Sequence, residues 1–327
     1  MSFVIRRRTL MAGLAAGLAA PSLARAQGRF EGRTIRLIVP FPAGGGTDVA
    51  ARLLAERLGP ALKARLVVEN LPGGGGSIGY RAAVAAPNDG SAILLTSSAI
   101  ATMPFLYPAR NYDPQKELIA VSMIGQGPSL ICVGPHVPAR TLKELIDLAK
   151  SKPGELSYAS AGIGSGLHLS AEVFIKMAGI NIKHVPYRGA ALATSDILGG
   201  RIDVIVDILT SVRPLVGDGK LRALAITSKT RSPLAPEYVP AAETVPGYDF
   251  AAWFGVYLPS GAQQALADEL QAAIATTLTD ASLKERYAVL GMETAGTTPA
   301  AFRAFMAAEL DRWGRVIKDL GITAEGG

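Results

Sequence analysis

The chain of 327 residues is 49% apolar and 18% charged, which suits one or two cored domains and excludes a disordered chain. Its formal charge of +6 is concentrated in residues 1–26, where Arg6, Arg7, Arg8 and Arg25 stand without an acid; without those four the balance is +2, so a chain built to track phosphates is excluded. The single cysteine, Cys132, excludes an internal disulfide framework and any multi-cysteine metal or iron–sulfur site.

The first element reads as an export signal. Arg6-Arg7-Arg8 precedes an Ala/Leu-rich run from Leu10 to Ala20, and Ala24-Arg25-Ala26 offers a small-x-small cleavage site. The run falls short of the ~20 residues a spanning helix needs. Paired arginines before Thr9-Leu10-Met11, with Arg25 beside the cleavage site, point to twin-arginine rather than general secretory export. No later apolar run is long enough to span a bilayer, so a soluble periplasmic product cleaved near Ala26, without membrane insertion, is expected.

Short β-branched or Leu-rich runs then alternate with amphipathic stretches. Strands are predicted at Ile35–Val39, Leu66–Val68, Ala92–Leu95, Leu130–Val133, Leu156–Ser160, Ile182–Val185, Val204–Asp207 and Ala223–Thr227. Helices are predicted at Val49–Leu58, Leu142–Lys150, Leu167–Ala178 and Ala190–Leu198. Strand–helix alternation argues for an α/β fold with mainly parallel sheets, because parallel neighbours require a crossover element. The stretches around Gly125-Gln126-Gly127-Pro128 and Pro246-Gly247-Tyr248 are the candidate crossings between two domains.

Glycine, 36 of 327 residues, exceeds the usual ~7%, and the excess sits in loops. Pro40 to Asp48 joins a strand to a helix, and Ser160 to His168 repeats that arrangement about 120 residues later. A third loop runs from Pro72 to Gly79. Glycine lets backbone N–H groups turn to a ligand, and a helix N-terminus adds about half a positive charge, so such loops are anion sites. Tight turning alone is the plainer role of any one loop; two in equivalent positions point to a shared ligand. Neither loop ends in Gly-Lys-Ser/Thr, and the dinucleotide spacing is not met.

The three histidines, His136, His168 and His184, form neither a His-Glu-x-x-His helix nor a zinc spacing, so no metal is expected. Ser165 and His168 could serve as nucleophile and base of a hydrolase, but Ile163 occupies the glycine position of a Gly-x-Ser-x-Gly elbow. His168 otherwise reads as a capping or packing residue, and Cys132 as core. Asp203 and Asp207 flank Val204-Ile205-Val206. Asp203 reads as a turn residue; Asp207 falls at the strand's carboxyl end, where open α/β sheets bind ligands. Trp253 and Trp313 read as core or interface anchors.

Several motifs occur in order: Phe41-Pro42-Ala43-Gly44-Gly45-Gly46-Thr47-Asp48, Glu69-Asn70, Asp89-Gly90, Gly162-x-Gly164-Ser165-x-x-His168-Leu169, Val185-Pro186-Tyr187-Arg188-Gly189 and Ala252-Trp253-Phe254-Gly255. Over residues 30–320 the chain resembles the Bug-type (TctC-like) extracytoplasmic solute receptors of tripartite tricarboxylate transporters. The resemblance implies a two-lobed, type II-like periplasmic binding protein, with residues 27–126 and 248–327 in one lobe and 127–247 in the other. It implies a non-enzymatic receptor without cofactors that grips one carboxylate of a small organic acid between Phe41–Asp48 and Gly162–His168. Its partners would be the permease subunits, and monomer is the default state for a receptor that must open and close.

The expected ligand-binding set is therefore Phe41, Ala43, Gly44, Gly45, Gly46, Thr47 and Asp48 from the first lobe, with Ala161, Gly162, Gly164, Ser165 and His168 from the second. Ser77, Thr96, Ser97, Tyr187 and Asp207 are the candidates for the far end of the ligand. The gripping loops contain no arginine, which favours a mono- or dicarboxylate over a citrate-like trianion. An ionised Asp207 would oppose a second ligand carboxylate unless a water intervened, and would suit an amino or hydroxyl group. A periplasmic sensor for a two-component system is the alternative the residues leave open, with the Ser165/His168 hydrolase behind it.

Overall fold

A computed structural model describes residues 28–108, 111–163, 165–187 and 189–322; the export signal, Gly164 and Arg188 lie outside the described residues. The chain runs through β1 (Thr34–Val39), α1 (Gly46–Ala61), β2 (Arg65–Asn70), α2 (Ser77–Val84), β3 (Ala92–Ser97), α3 (Met103–Leu106), α4 (Pro114–Glu117) and β4 (Leu118–Val133). It continues through α5 (Leu142–Ser151), β5 (Ser157–Ser160), α6 (Gly166–Ala178), β6 (Lys183–Pro186), α7 (Ala190–Leu198), β7 (Val204–Ile208), α8 (Leu209–Gly217) and β8 (Arg222–Ile226). Then come β9 (Ala251–Pro259), α9 (Gln264–Thr277), α10 (Ala281–Val289), β10 (Glu293–Thr294) and α11 (Pro299–Leu320).

Local rules account for several of these boundaries. Thr141 caps α5 by accepting the Glu144 N–H at 3.1 Å, while the Glu144 carboxylate reaches back to the Arg140 N–H at 2.7 Å. On β1 the two-residue period sends Ile35, Leu37 and Val39 into one core and Ile38 into another on the opposite face. The first of these cores lies under α1, α9 and α10; a third occupies one face of the β4–β8 region, around Cys132 and Val212.

The strand order is β2-β1-β3-β9-β4-β7-β5-β6, with β8 and β10 also paired to β4. The triplets β2-β1-β3 and β6-β5-β7 are parallel, as strand–helix alternation requires. The sheets as a whole are mixed, because β9 and β4 run antiparallel to their neighbours. The chain leaves one sheet along β4 and returns along β9, and two adjacent crossings in opposite directions must be antiparallel. β4 pairs with β9 as far as Pro128 opposite Ala251, and from Ser129 onward pairs with β7 and β8.

The Gly125–Pro128 stretch is therefore strand rather than loop. Its glycines stay in register because a Cβ at Gly125 or Gly127 would collide with the β10 backbone or the turn before it, at the carbonyls of Glu293 and Gly291. The long α11 closes over β9: both Trp253 and Trp313 donate their indole N–H to the Glu309 carboxylate, at 2.9 and 3.1 Å.

Thr227 fastens the two crossings together. Its hydroxyl accepts the Ser129 N–H at 2.8 Å and donates to the Phe250 carbonyl at 2.9 Å, and its own N–H bonds the Ser129 carbonyl. Replacing Thr227 with the isosteric valine leaves the buried Ser129 N–H without its acceptor. The expected loss is about 1–3 kcal/mol of unfolding free energy, to be read by urea denaturation against the unaltered protein.

Candidate ligand cleft

The carboxyl ends of β1, β3, β5 and β7 open onto one cleft, the position where open α/β sheets place ligands. One wall carries the loop after β1, with Phe41, Ala43, Gly45, Gly46 and Thr47. The facing wall carries Ala161, Ser165 and Gly166 after β5 and Asp207 at the end of β7. Ala252 and Phe254 of β9 complete the lining, with Ser97 and Ser98 after β3. A second opening adjoins it, sharing Phe41, Pro42 and Ala161 and extending over Gly73–Gly76, Gly162 and Tyr187.

Two helices begin on these opposite walls. α1 starts at Gly46 behind Gly45, which has no capping side chain. The N–H groups of Gly46, Thr47 and Asp48 therefore have no acceptor within the helix, since the first helical bond is from Val49 to the Gly45 carbonyl. α6 starts at Gly166; among the described residues the Ser165 hydroxyl accepts the His168 N–H, at 3.2 Å, which leaves those of Gly166 and Leu167. Both termini add the positive end of a helix dipole, so the cleft presents donors and partial positive charge to a common space.

The first loop is held from behind. The Asp48 carboxylate accepts the Gly44 N–H, the Arg52 guanidinium and the Asn70 amide, each at 2.9 Å. Asn70 also donates to the Phe41 carbonyl at 3.0 Å. Burial works against the Asp48 charge, but the bonds from Arg52, Gly44 and Asn70 outweigh it and hold the carboxyl below its ordinary range. Asp48 thus shapes the loop instead of facing the cleft.

The second loop rests on an aromatic stack. The ring centroids of His168 and His184 lie 4.3 Å apart, and those of His184 and Tyr158 lie 4.7 Å apart. The Ser160 hydroxyl bonds His184 Nε2 at 2.7 Å and also accepts the Gly162 N–H. Burial lowers His168 to about 3, with His184 adding to the effect, and lowers His184 to about 4. Both rings are neutral spacers at neutral pH.

Several residues expected in the site stand off its walls. Thr96 is buried on the face of β3 opposite to Ser97, because neighbouring strand side chains alternate. Ser77 is buried at the start of α2, and His168 sits behind its loop. Gly44 contributes its N–H to Asp48. Tyr187 lines the second opening, but its hydroxyl donates to Asp196 at 2.6 Å. Gly166 and Leu167 line the cleft from within the expected second loop, whereas Ser98, Gly189, Ile208, Ala252 and Phe254 line it without having been expected in the site. Strand alternation around the buried Trp253 was the signal available for Ala252 and Phe254.

The two walls touch. Tyr107 donates its hydroxyl to the Ile163 carbonyl at 2.9 Å. A Cβ on Gly189, at φ +125°, would lie 2.6 Å from Pro42, and one on Gly166 would lie 2.7 Å from the Ser98 hydroxyl.

The family description "Tripartite tricarboxylate transporter family receptor" matches residues 50–322. The chain belongs to this receptor family. BugT of Bordetella pertussis is 36% identical over 309 residues, covering 94% of each chain. Among solved structures, an R. palustris protein with adipate superposes with a TM-score of 0.86 at 34% identity, covering 89% of this chain and 98% of that one. The periplasmic binding protein BugD gives a TM-score of 0.86 at 32% identity, over 90% and 99% of the two chains. The receptor fold is thus the two-lobed periplasmic binding protein fold, with the cleft just described between its lobes.

In this receptor the histidine pair leaves a pH signature. Its folded-state pKa values lie below the ordinary 6.5, so the unfolded chain binds protons that the folded one refuses. The pair's contribution to stability is complete above about pH 6.5 and falls as pH drops toward about 3. Ring carbon chemical shifts at pH 5.5 are expected to report both imidazoles as neutral, where an exposed histidine is mostly protonated.

Proposed function

We propose that the mature chain is a periplasmic receptor that captures a small mono- or dicarboxylate and delivers it to the permease subunits of a tripartite transporter. In this reading residues 27–126 and 248–327 form one jaw and residues 127–247 the other, after export through the N-terminal signal. The observation that carries it is the pair of helix N-termini on opposite walls of one cavity, with main-chain donors that no side chain of their own helix satisfies. Adipate in an R. palustris relative supports a carboxylate as the ligand. A carboxylate held by three or four such bonds gains ~1.5–3 kcal/mol from each and needs no arginine.

Closure gives the transporter something to read. An acid touching one jaw alone meets half the donors in open water; closure brings the other half and excludes solvent, which strengthens both sets. The ligand favours the closed state by that difference in affinity. A hydrolase using Ser165 and His168 fits less well. The Ser165 hydroxyl accepts the main-chain N–H of His168, while the imidazole packs on His184 and, at about 3, is too weak a base.

Calorimetric titration is expected to show binding of C4–C6 mono- or dicarboxylates and weaker binding of citrate. Gly166→Val tests the closure argument, because it keeps the Gly166 N–H while filling the gap to Ser98. It should weaken binding about tenfold or more, equivalent to about 1.4 kcal/mol, with little change in the ligand-free melting temperature. Unchanged affinity in that variant, or citrate binding tighter than every smaller acid, would contradict the proposed grip.

A further inference from the structure

Asp207 ends β7 on the second-lobe wall of the cleft and is 1% exposed. Its Oδ1 accepts the Ile208 N–H at 2.7 Å, and the nearby Ser211 hydroxyl favours the charged form of the carboxyl group. Its Oδ2 is buried and has no hydrogen-bond partner among the described residues. A buried carboxyl oxygen with nothing to bond is a costly feature, and here it belongs to a residue that lines the cavity.

The surroundings decide what partner it can take. On β4, Leu130 lies opposite Asp207 and Cys132 follows on the same face; burial, and the Asp207 charge itself, keep that thiol neutral. On α8 the Ser211 hydroxyl is close enough to favour the charged carboxylate but makes no hydrogen bond to Oδ2. α6 packs on β7 and brings Ser165 and the neutral His168. β5 places Ala159 beside Ile205, and β9 brings Ala252 and Phe254. From the first lobe come Gly46 and Thr47, while Asp48 is turned to Arg52, Asn70 and Gly44. No lysine or arginine is among the described residues lining the cleft.

Burial pushes the Asp207 carboxyl up to about 7, against the pull of the Ile208 N–H and the Ser211 hydroxyl. A second anion arriving beside it raises it further, because like charges resist ionising together. With Oδ1 already accepting, the proton belongs on Oδ2, and the orphaned atom becomes a donor. A neutral carboxylic acid in a dry pocket is an effective donor to an oxyanion.

We propose that Asp207 receives the far carboxylate of a dicarboxylic acid by donating a hydrogen bond from a protonated Oδ2, so that dicarboxylate binding takes up a proton from solvent. This rests on the carboxylate-receptor reading of the cleft and specifies how the ligand's second end is recognised. The bond is charge-assisted and stronger than one between neutral groups. A monocarboxylate has no such end and binds without proton uptake.

The test is calorimetry with succinate, glutarate and adipate against butyrate, valerate and hexanoate, in buffers of different ionisation enthalpy. For at least one dicarboxylate, affinity should fall about tenfold from pH 6 to pH 8, with proton uptake approaching one per ligand at pH 8. The monocarboxylates should change less than twofold. Asp207→Asn keeps a donor and cannot titrate, so it should retain dicarboxylate binding and lose the pH dependence. A flat dicarboxylate profile overturns the inference, as does the same slope in Asp207→Asn. So does affinity that rises with pH and prefers malate or aspartate over succinate, since that means an ionised Asp207 accepting from a hydroxyl or amino group. Binding of monocarboxylates alone removes the inference and leaves the receptor reading intact; binding of neither class removes both. If Asp207→Asn fails to fold, the proton count on the unaltered protein still decides.

Discussion

The structure turns on an electrostatic demand that the chain does not meet from within. Two helices start at glycine-rich corners on facing walls, and neither has enough side-chain acceptors for its first N–H groups. Such donors must bond water or an anion. The rest of the site follows from holding them still: Asp48 and Asn70 clamp one corner, and the Tyr158–His184–His168 stack supports the other. In both cases ionisable side chains stay behind the loops while main chain faces the cleft.

That division of labour has an electrostatic consequence. An anion held by dipoles meets fixed, short-ranged partial charges, and no long side chain must give up its freedom to reach it. Charges near the cleft are cancelled or suppressed: Asp48 is paired with Arg52, and the buried imidazoles are neutral. Asp207 departs from this pattern, since half of its carboxyl group is satisfied and half is not. An unmatched acceptor on a wall whose other open groups are main-chain donors is where discrimination between ligands can reside.

The two lobes are joined by strands, and this shapes how they can move. β4 belongs to both sheets, and Thr227 ties the outgoing strand to the return path leading into β9. Ordered strands with paired backbone allow bending about a shared line more readily than independent drift. The glycines at the β4 crossing are explained by the close approach of the β10 region, which leaves no room for a Cβ at Gly125 or Gly127.

Much of this was written locally. Strand–helix alternation located β1, β2, β3 and β5 to β8 to within a few residues, because period-two and period-3.6 patterns are properties of short segments. The anion corners were legible too, since glycine runs between a strand and a helix mean the same thing wherever they fall. Local pattern failed where a residue's surroundings come from distant chain. The strand character of residues 118–129 and the mixed sheet depend on β9 and β10, more than 120 residues away. Thr96 and Ser97 could not be told apart as core and cleft until β9 fixed the sheet beside them. Above all, the sequence identified Asp207 as an acid at a strand end, and an acid read in isolation is an anion. Only the tertiary structure, by burying it against Leu130, Cys132 and Phe254 and leaving one oxygen without a donor, decided that its charge is conditional, because desolvation is set by everything packed around a group and not by its neighbours in the chain.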